Sequence, residues 1–423
     1  LKLLIIGHTI PEPSTTAAGS RMLQLINLFI EQGYTVHFGT SALEGPHSVD
    51  LASLGVVLDE IKLNDPSFDT YIKSLNPDVV MFDRFVMEEH YGWRIVEHCP
   101  QAIRILDTED LHFLRKARET SIKKHGDLSQ TDLFTEAAKR ELASIMRCDL
   151  SLIISEFEVA LLTATFGIPS ALLQYLPFMV DDNKIESGKG YEFRSGFMTI
   201  GNYHHLPNVN SVLYLKNVIW PRIKSKLPSA TLSVYGNYAG QQITQLHNDK
   251  EKFLIKGWAP SVEEAMKSAR VCLAPLRYGA GLKGKILDAM IHGTPIVTTS
   301  IGAEGMYGSF KSQMPVSNDE DQIATMAVEL HEDSEKWNTA RDVGFEIIDH
   351  RFRRSKVQAS FIEQLTQLQS RLIHHRKQNF LGQVFQHHKH LIDPRNTLTS
   401  TDTGSNHSVL TSSSFEVIHY LDT

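Results

Sequence analysis

Two lysines and an aspartate stand out first. Lys283, Lys285 and Asp288 sit in and just after a loop that carries Gly279, Gly281 and Gly284. A glycine-rich turn feeding a helix N-terminus suits an anion, because free backbone N–H groups and the helix dipole point at it. The lysines add formal positive charge. Lys285 and Asp288, three residues apart, share a helix face, so a cation at the turn and a carboxylate one turn on would suit a nucleotide diphosphate and its ribose. The plainer reading, glycines that merely make a tight turn, stands beside it, since a glycine-rich loop alone is a weak signal.

Other groups gather at strand ends. Ala102–Leu106 reads as a strand ending in Asp107, Thr108, Glu109, Asp110, Leu111 and His112, three carboxylates and a histidine within six residues. The cluster is a site candidate by position, with capping by Asp107 or Asp110 and a solvated charge cluster as the alternative. His8, Gly19, Ser20 and Arg21 follow the first strand and would line the same cleft. Glu304 follows another strand, in Ser300–Gly305.

These positions need an α/β frame. Leu3–Ile6, Tyr34–Phe38, Val56–Leu63 and Asp78–Phe82 read as strands, and Ser20 is the expected N-cap of a helix bearing Met22, Leu23, Ile26 and Phe29. Thr131–Arg147 reads as a long helix with Leu133, Phe134, Ala137, Leu142 and Ile145 on its buried face. The alternation restarts at Phe197–Ile200, and Asn208 is the expected cap of the next helix. Gly201, Gly236, Gly257 and Gly279 each follow a strand, so they are expected to share one crevice. Val271–Ala274 and Pro295–Thr299 flank the glycine loop.

The chain has 423 residues, enough for two domains with full cores. A formal charge of −7 argues against general nucleic-acid binding. Cys99, Cys148 and Cys272 lack metal or disulfide spacing and read as buried thiols of a reducing compartment. No apolar run approaches the length of a transmembrane helix, so a cytoplasmic location is expected. The chain opens on Leu1 rather than Met, which leaves a preceding native segment open.

APLRYGAGLKGKILDAM followed by GTPIVTTSIGAEGM resembles the donor-site region of GT-B glycosyltransferases, in the retaining group called glycosyl transferases group 1. That motif runs Pro-x-x-x-Gly-x-Gly-x-x-x-Lys-x-x-Glu-Ala, then Gly-x-Pro-Val-Val. The resemblance implies two Rossmann-like domains facing across a cleft, and transfer of a sugar from a nucleotide-sugar, UDP- or GDP-linked, to a glycan, lipid or small-molecule hydroxyl. It implies retention of configuration and no metal or other cofactor. Asp288 takes the ribose-binding acidic position, with Gly279, Gly281, Leu282 and Gly284 around the donor. Asn202 lies in a loop where relatives often carry an Arg and a Lys for the diphosphate; here Lys283 and Lys285 are expected to supply that charge. Gly257 and Trp258 match the segment that meets the base, with an interdomain or core Trp as the alternative. Ala280 stands where many members place a sugar-contacting glutamate. The resemblance also implies a functional residue at the end of the Ala102–Leu106 strand, Asp107 or His112.

The expected division is 1–180 for the acceptor domain, 181–348 for the donor domain, 349–375 for a helix crossing back, and 376–423 for a basic, His-rich and then Ser/Thr-rich disordered tail. The tail is also a candidate for peripheral membrane contact. Two rivals accompany the transferase reading: a sugar-nucleotide epimerase and a non-catalytic sugar-nucleotide or glycan-binding protein. Ala280 and the missing Arg/Lys pair favour the second slightly, while Lys283, Lys285 and Asp288 argue against it.

Overall fold

The computed structural model describes residues 1–182 and 190–392. Two parallel sheets form its frame. The first has the order β3-β2-β1-β4-β5-β6-β7, from β1 (Lys2–Gly7), β2 (Thr35–Thr40), β3 (Val57–Glu60), β4 (Val79–Asp83), β5 (Ile103–Asp107), β6 (Leu150–Ile153) and β7 (Leu173–Tyr175). The second has the order β10-β9-β8-β11-β12, from β8 (Phe197–Ile200), β9 (Leu232–Tyr235), β10 (Phe253–Gly257), β11 (Val271–Ala274) and β12 (Ile296–Thr298). The central strands are buried on both faces, which explains their continuous apolar runs. In each sheet the order reverses beside the first strand, the switch point where such sheets open a crevice.

The C-terminal strand ends of the two sheets face each other and touch. A Cβ on Gly284 would lie 2.6 Å from that of Ala17, and one on Gly281 would lie 2.8 Å from that of Asp110. Tyr238 donates its hydroxyl to Glu12 at 3.1 Å, and the His47 and Trp258 rings stand 4.8 Å apart. The two-sheet α/β arrangement expected from the sequence is therefore present.

The Arg354–Gln378 helix returns to the first sheet. Phe361, Leu365, Leu368 and Leu372 bury themselves among Leu25, Phe29 and Val36. The chain does not fall into disorder at Arg376. That guanidinium pairs with Asp149 at 2.7 Å, and a further helix, Phe380–Ile392, packs its Gly382 on the Met146 carbonyl. The rest of the expected tail, and the side chains of His388 and His390, lie outside the described residues.

Three helix starts differ from expectation. Thr16, not Ser20, caps the Ala17–Glu31 helix by accepting from the Gly19 amide. Thr135 caps Glu136–Arg147, so Phe134 precedes the helix and is exposed. His205 occupies the N-cap position of Leu206–Tyr214. The Asn208 side chain instead donates to the Asn202 carbonyl at 2.9 Å. The three cysteines are buried and unpaired.

Candidate functional site

The glycine loop leaves β11 and enters the Gly284–Ile291 helix, with Lys283 at the N-cap position and no side chain capping its amides. Those free amides are the anion-seeking feature. Lys283 turns back and donates to the carbonyls of Ala280 (3.0 Å) and Gly281 (2.6 Å), so it braces the loop. Lys285 behaves differently. Its ammonium donates to the Asn208 amide oxygen at 2.8 Å and has no carboxylate partner among the described residues. Burial pushes it down to about 8. Asp288, one turn on, also lacks a side-chain partner among the described residues, and burial pushes its carboxyl up to about 7. The two do not pair with each other. A cation and an acid, each half-buried and uncompensated, flank one helix start. Such groups are costly unless something binds them.

The loop is pressed onto the first domain. Ala280 is buried in the first-domain core that also holds Phe113, Leu114 and Leu162, not in an open sugar pocket. Gly281, at φ +62°, donates its amide to Glu158 at 2.7 Å. Leu282 is buried in the second-domain core. Arg118, from the His112–His125 helix, donates to the Gly279 carbonyl at 2.7 Å and clasps both oxygens of Glu304 at 2.8 Å. Glu304 is thus held by an interdomain ion pair.

On the first-domain side, Arg21 and Asp107 form a fully buried pair with N···O distances of 2.8 and 3.0 Å, and Arg21 also donates to the Leu176 carbonyl. Both were expected in the cleft; both lie inside the protein, because a carboxylate at the end of a fully buried strand requires a cation beside it. Gly19 lets the Glu12 backbone pass, since a Cβ there would meet it at 2.5 Å, and the Ser20 hydroxyl donates to the Pro13 carbonyl at 3.0 Å. These two shape the loop after β1. His8 remains accessible at the strand end and donates its amide to Asp83 at 2.9 Å. Burial and the nearby Arg84 lower its imidazole pKa.

His112 opens its helix, its amide and that of Phe113 held by Glu141 at 3.1 and 2.8 Å. Its ring nitrogen lies 3.4 Å from Asp110, which is also bound by Arg115 at 2.8 Å. Burial pushes His112 down to about 3, so the ring is neutral at pH 7. His205, from the second domain, is likewise pushed down to about 3 by burial, with Arg115 adding to the effect. Burial acts to raise Asp110, but Arg115, His112 and His205 hold its carboxyl well below the usual range. Two neutral imidazoles, one from each domain, thus surround one Asp–Arg pair.

Asn202 forms a tight turn, accepting from the His204 amide at 2.9 Å. Gly257 adopts φ +72° and its carbonyl takes the Gly236 amide at 2.8 Å. Trp258 stands half-exposed at the rim against His47, so the interdomain alternative describes its position. Arg118, Glu158 and His205 were not singled out from the sequence, because their roles depend on partners in the other domain; Arg115 was not either, and Asp110 and Asn208 were read only as part of an acidic cluster and as a helix cap. Arg84 (φ +71°) and Glu109 (φ +61°) are left-handed at the ends of neighbouring strands, a strain common at functional sites that only the backbone reveals.

Residues 194–333 match the family model described as Glycosyl transferases group 1. An uncharacterized 44.6 kDa protein from the cps region of Klebsiella pneumoniae is 23% identical over 225 residues, which cover 51% of this chain and 56% of that protein. Among solved structures, a TarM variant of S. aureus in complex with fondaparinux, α-GlcNAc-glycerol and UDP superposes with a TM-score of 0.66 at 10% identity, over 86% of this chain and 99% of its own. HepE from Anabaena, in complex with UDP and glucose, gives 0.63 at 13% identity over 86% and 99%. Sucrose-phosphate synthase from Thermosynechococcus elongatus gives 0.64 at 13% over 87% and 98%.

Proposed function

We propose that this chain, which has the GT-B fold of its solved neighbours and matches the glycosyl transferases group 1 model over residues 194–333, moves a sugar from a nucleotide-sugar donor to an acceptor hydroxyl. The observation that carries the reading is Lys285: a half-buried ammonium at a helix start, held by Asn208 and without a counter-charge among the described residues. A diphosphate would supply that charge. Lys285 and the free amides of the helix would stabilise it as the sugar–oxygen bond breaks. Asp288 would accept from ribose hydroxyls. The face around His112, His205, Asp110 and Arg115 would position the sugar and the acceptor, whose hydroxyl proton passes to the departing diphosphate as the new bond forms.

We extend the reading to a UDP- or GDP-sugar donor, to retention of configuration, and to leaving-group stabilisation by lysine and backbone rather than by a metal ion. UDP is present with both TarM and HepE, which supports the donor class. A glycan or lipid acceptor is proposed, and a cytoplasmic location with peripheral membrane contact through the Phe380–Ile392 helix.

The test is a thermal-shift panel of UDP-, GDP-, ADP- and dTDP-sugars on wild type, Lys285→Ala and Asp288→Ala. A ligand at 100 times its Kd adds about 2.7 kcal/mol. One nucleotide class should stabilise wild type and neither variant; no shift with any of them sinks the reading. The non-catalytic reading is favoured by one observation, the Ala280 methyl seated in the first-domain core. Nucleotide binding without release of free nucleoside diphosphate, across a panel of glycan and lipid acceptors, would select it. Turnover of donor alone would select the epimerase.

A further inference from the structure

Glu158 lies in the first turn of the Glu156–Phe166 helix, and none of it reaches solvent. A carboxylate so placed costs several kcal/mol unless it is paired or hydrogen-bonded. No ion pair holds it among the described residues. One oxygen instead accepts two backbone N–H groups, from Leu111 at 3.2 Å and from Gly281 at 2.7 Å. Leu111 is the residue before His112 in the first domain. Gly281 is the middle of the glycine loop in the second. The other oxygen is buried and accepts nothing among the described residues. Around the carboxylate stand Asp110 from the turn after β5, Glu141 from the Glu136–Arg147 helix, and Lys283 from the loop. Lys283 is committed to carbonyls of its own loop.

We propose that Glu158 is a positioning residue that fixes the glycine loop of the second domain in register with the His112 turn of the first. Ala280 in the first-domain core and Arg118 hold the loop against that domain, and Glu158 adds the contact that ties it to the His112 turn. The loop's glycines carry no side chains to pack. Arg118 binds the Gly279 carbonyl, and Glu158 binds the Gly281 amide, so the two together fix both ends of a tripeptide. Gly281 must also come so close to Asp110 that no side chain fits between them. Because one oxygen serves both amides, the loop cannot shift along the cleft without loosening the start of the His112 helix. On the transferase reading above, this contact sets the distance from the donor diphosphate to His112; the contact itself does not depend on that reading.

The test is hydrogen exchange by mass spectrometry on the full chain, with and without UDP. In Glu158→Ala, the segments covering 109–114 and 279–286 should both exchange at least about tenfold faster, while β1 and β4 stay protected. Glu158→Gln keeps an accepting oxygen and should restore both. Gly281→Ala approaches the same displacement from the other side, with Glu158 intact, and should release the same two segments; it carries the test if Glu158→Ala does not fold. Unchanged protection in a folded Glu158→Ala or in Gly281→Ala, release of one segment alone, or failure of Glu158→Gln to restore protection overturns the proposal. UDP protection of the loop in wild type, lost in Glu158→Ala and regained in Glu158→Gln, supports both the register and the nucleotide reading. Release of both segments in a protein that ignores UDP upholds the register and removes the nucleotide reading.

Discussion

Lys285 ties protonation to ligand affinity. Its folded pKa is lowered to about 8, so the ammonium is present below pH 8 and lost above it. Affinity for a nucleoside diphosphate should therefore fall as pH rises: about tenfold for UDP between pH 7 and pH 9, with Lys285→Arg holding a flat profile over that range. Isothermal titration at both pH values checks it. Asp288 runs the other way in the free protein. Its carboxyl is raised to about 7, so its stabilising contribution is complete below the unfolded value near 4 and lost as pH rises through about 7. Asp288→Asn should thus gain about 1–2 kcal/mol over wild type at pH 8 relative to pH 4, allowing for partial exposure, while weakening nucleotide binding. Urea unfolding at the two pH values reads the sign. For Asp107 the prediction is structural. Asp107→Asn leaves Arg21 buried without its counter-charge and should cost about 3–5 kcal/mol in urea unfolding, with nucleotide affinity intact in the folded protein. Sequence position alone had put Asp107 and Arg21 in the cleft. A strand-end carboxylate looks the same on paper whether it faces a ligand or a guanidinium 86 positions away.

Most strands, the glycine loop and the crossing helix were legible because their signals are local, whereas the three-residue β7 carries too short an apolar run to be read. Apolar runs ended by glycine mark buried strands, and Val357, Phe361, Leu365, Leu368 and Leu372 repeat at helical spacing. Helix starts were less so, because Thr16 and Thr135 compete with nearby capping candidates and the backbone chooses between them. The cross-domain contacts were not legible at all: Arg118 with Glu304, and Glu158 with Gly281, bring together residues more than 120 positions apart. The crossing helix yields its own prediction. Phe361 is fully buried and meets the edge of Phe29 with ring centroids 5.9 Å apart. Phe361→Ala should cost about 3–5 kcal/mol. The loss should appear in the first domain, as faster hydrogen exchange in the Ala17–Glu31 helix, while the Gly284–Ile291 helix keeps its protection. Equal loss in both helices would mean that the crossing helix is not anchored chiefly to the first domain.

At the scale of the molecule, charge is unevenly placed. The chain carries −7 overall, yet residues 371–392 contain no Asp or Glu. Within that stretch Arg376 is committed to Asp149, while Arg371, His374 and Lys377 are exposed. Ile373, Phe380, Leu381 and Phe385 are exposed beside them. None of the described helices is long and apolar enough to cross a membrane. A paired helix end that shows aromatic and aliphatic side chains among cations, and no acids, has the composition of an interfacial anchor. Full-length protein should therefore float with vesicles containing phosphatidylglycerol, bind pure phosphatidylcholine at least about tenfold less, and lose binding as salt shortens the Debye length. Replacing Phe380 and Leu381 by Asp should abolish flotation without changing the unfolding midpoint by more than about 1 kcal/mol, since both side chains already face solvent. Equal binding to neutral vesicles would leave the apolar contact and remove the electrostatic one. No flotation with either lipid, or a dimer that the double substitution splits, would assign this face to the chain itself or to a second copy instead of a membrane.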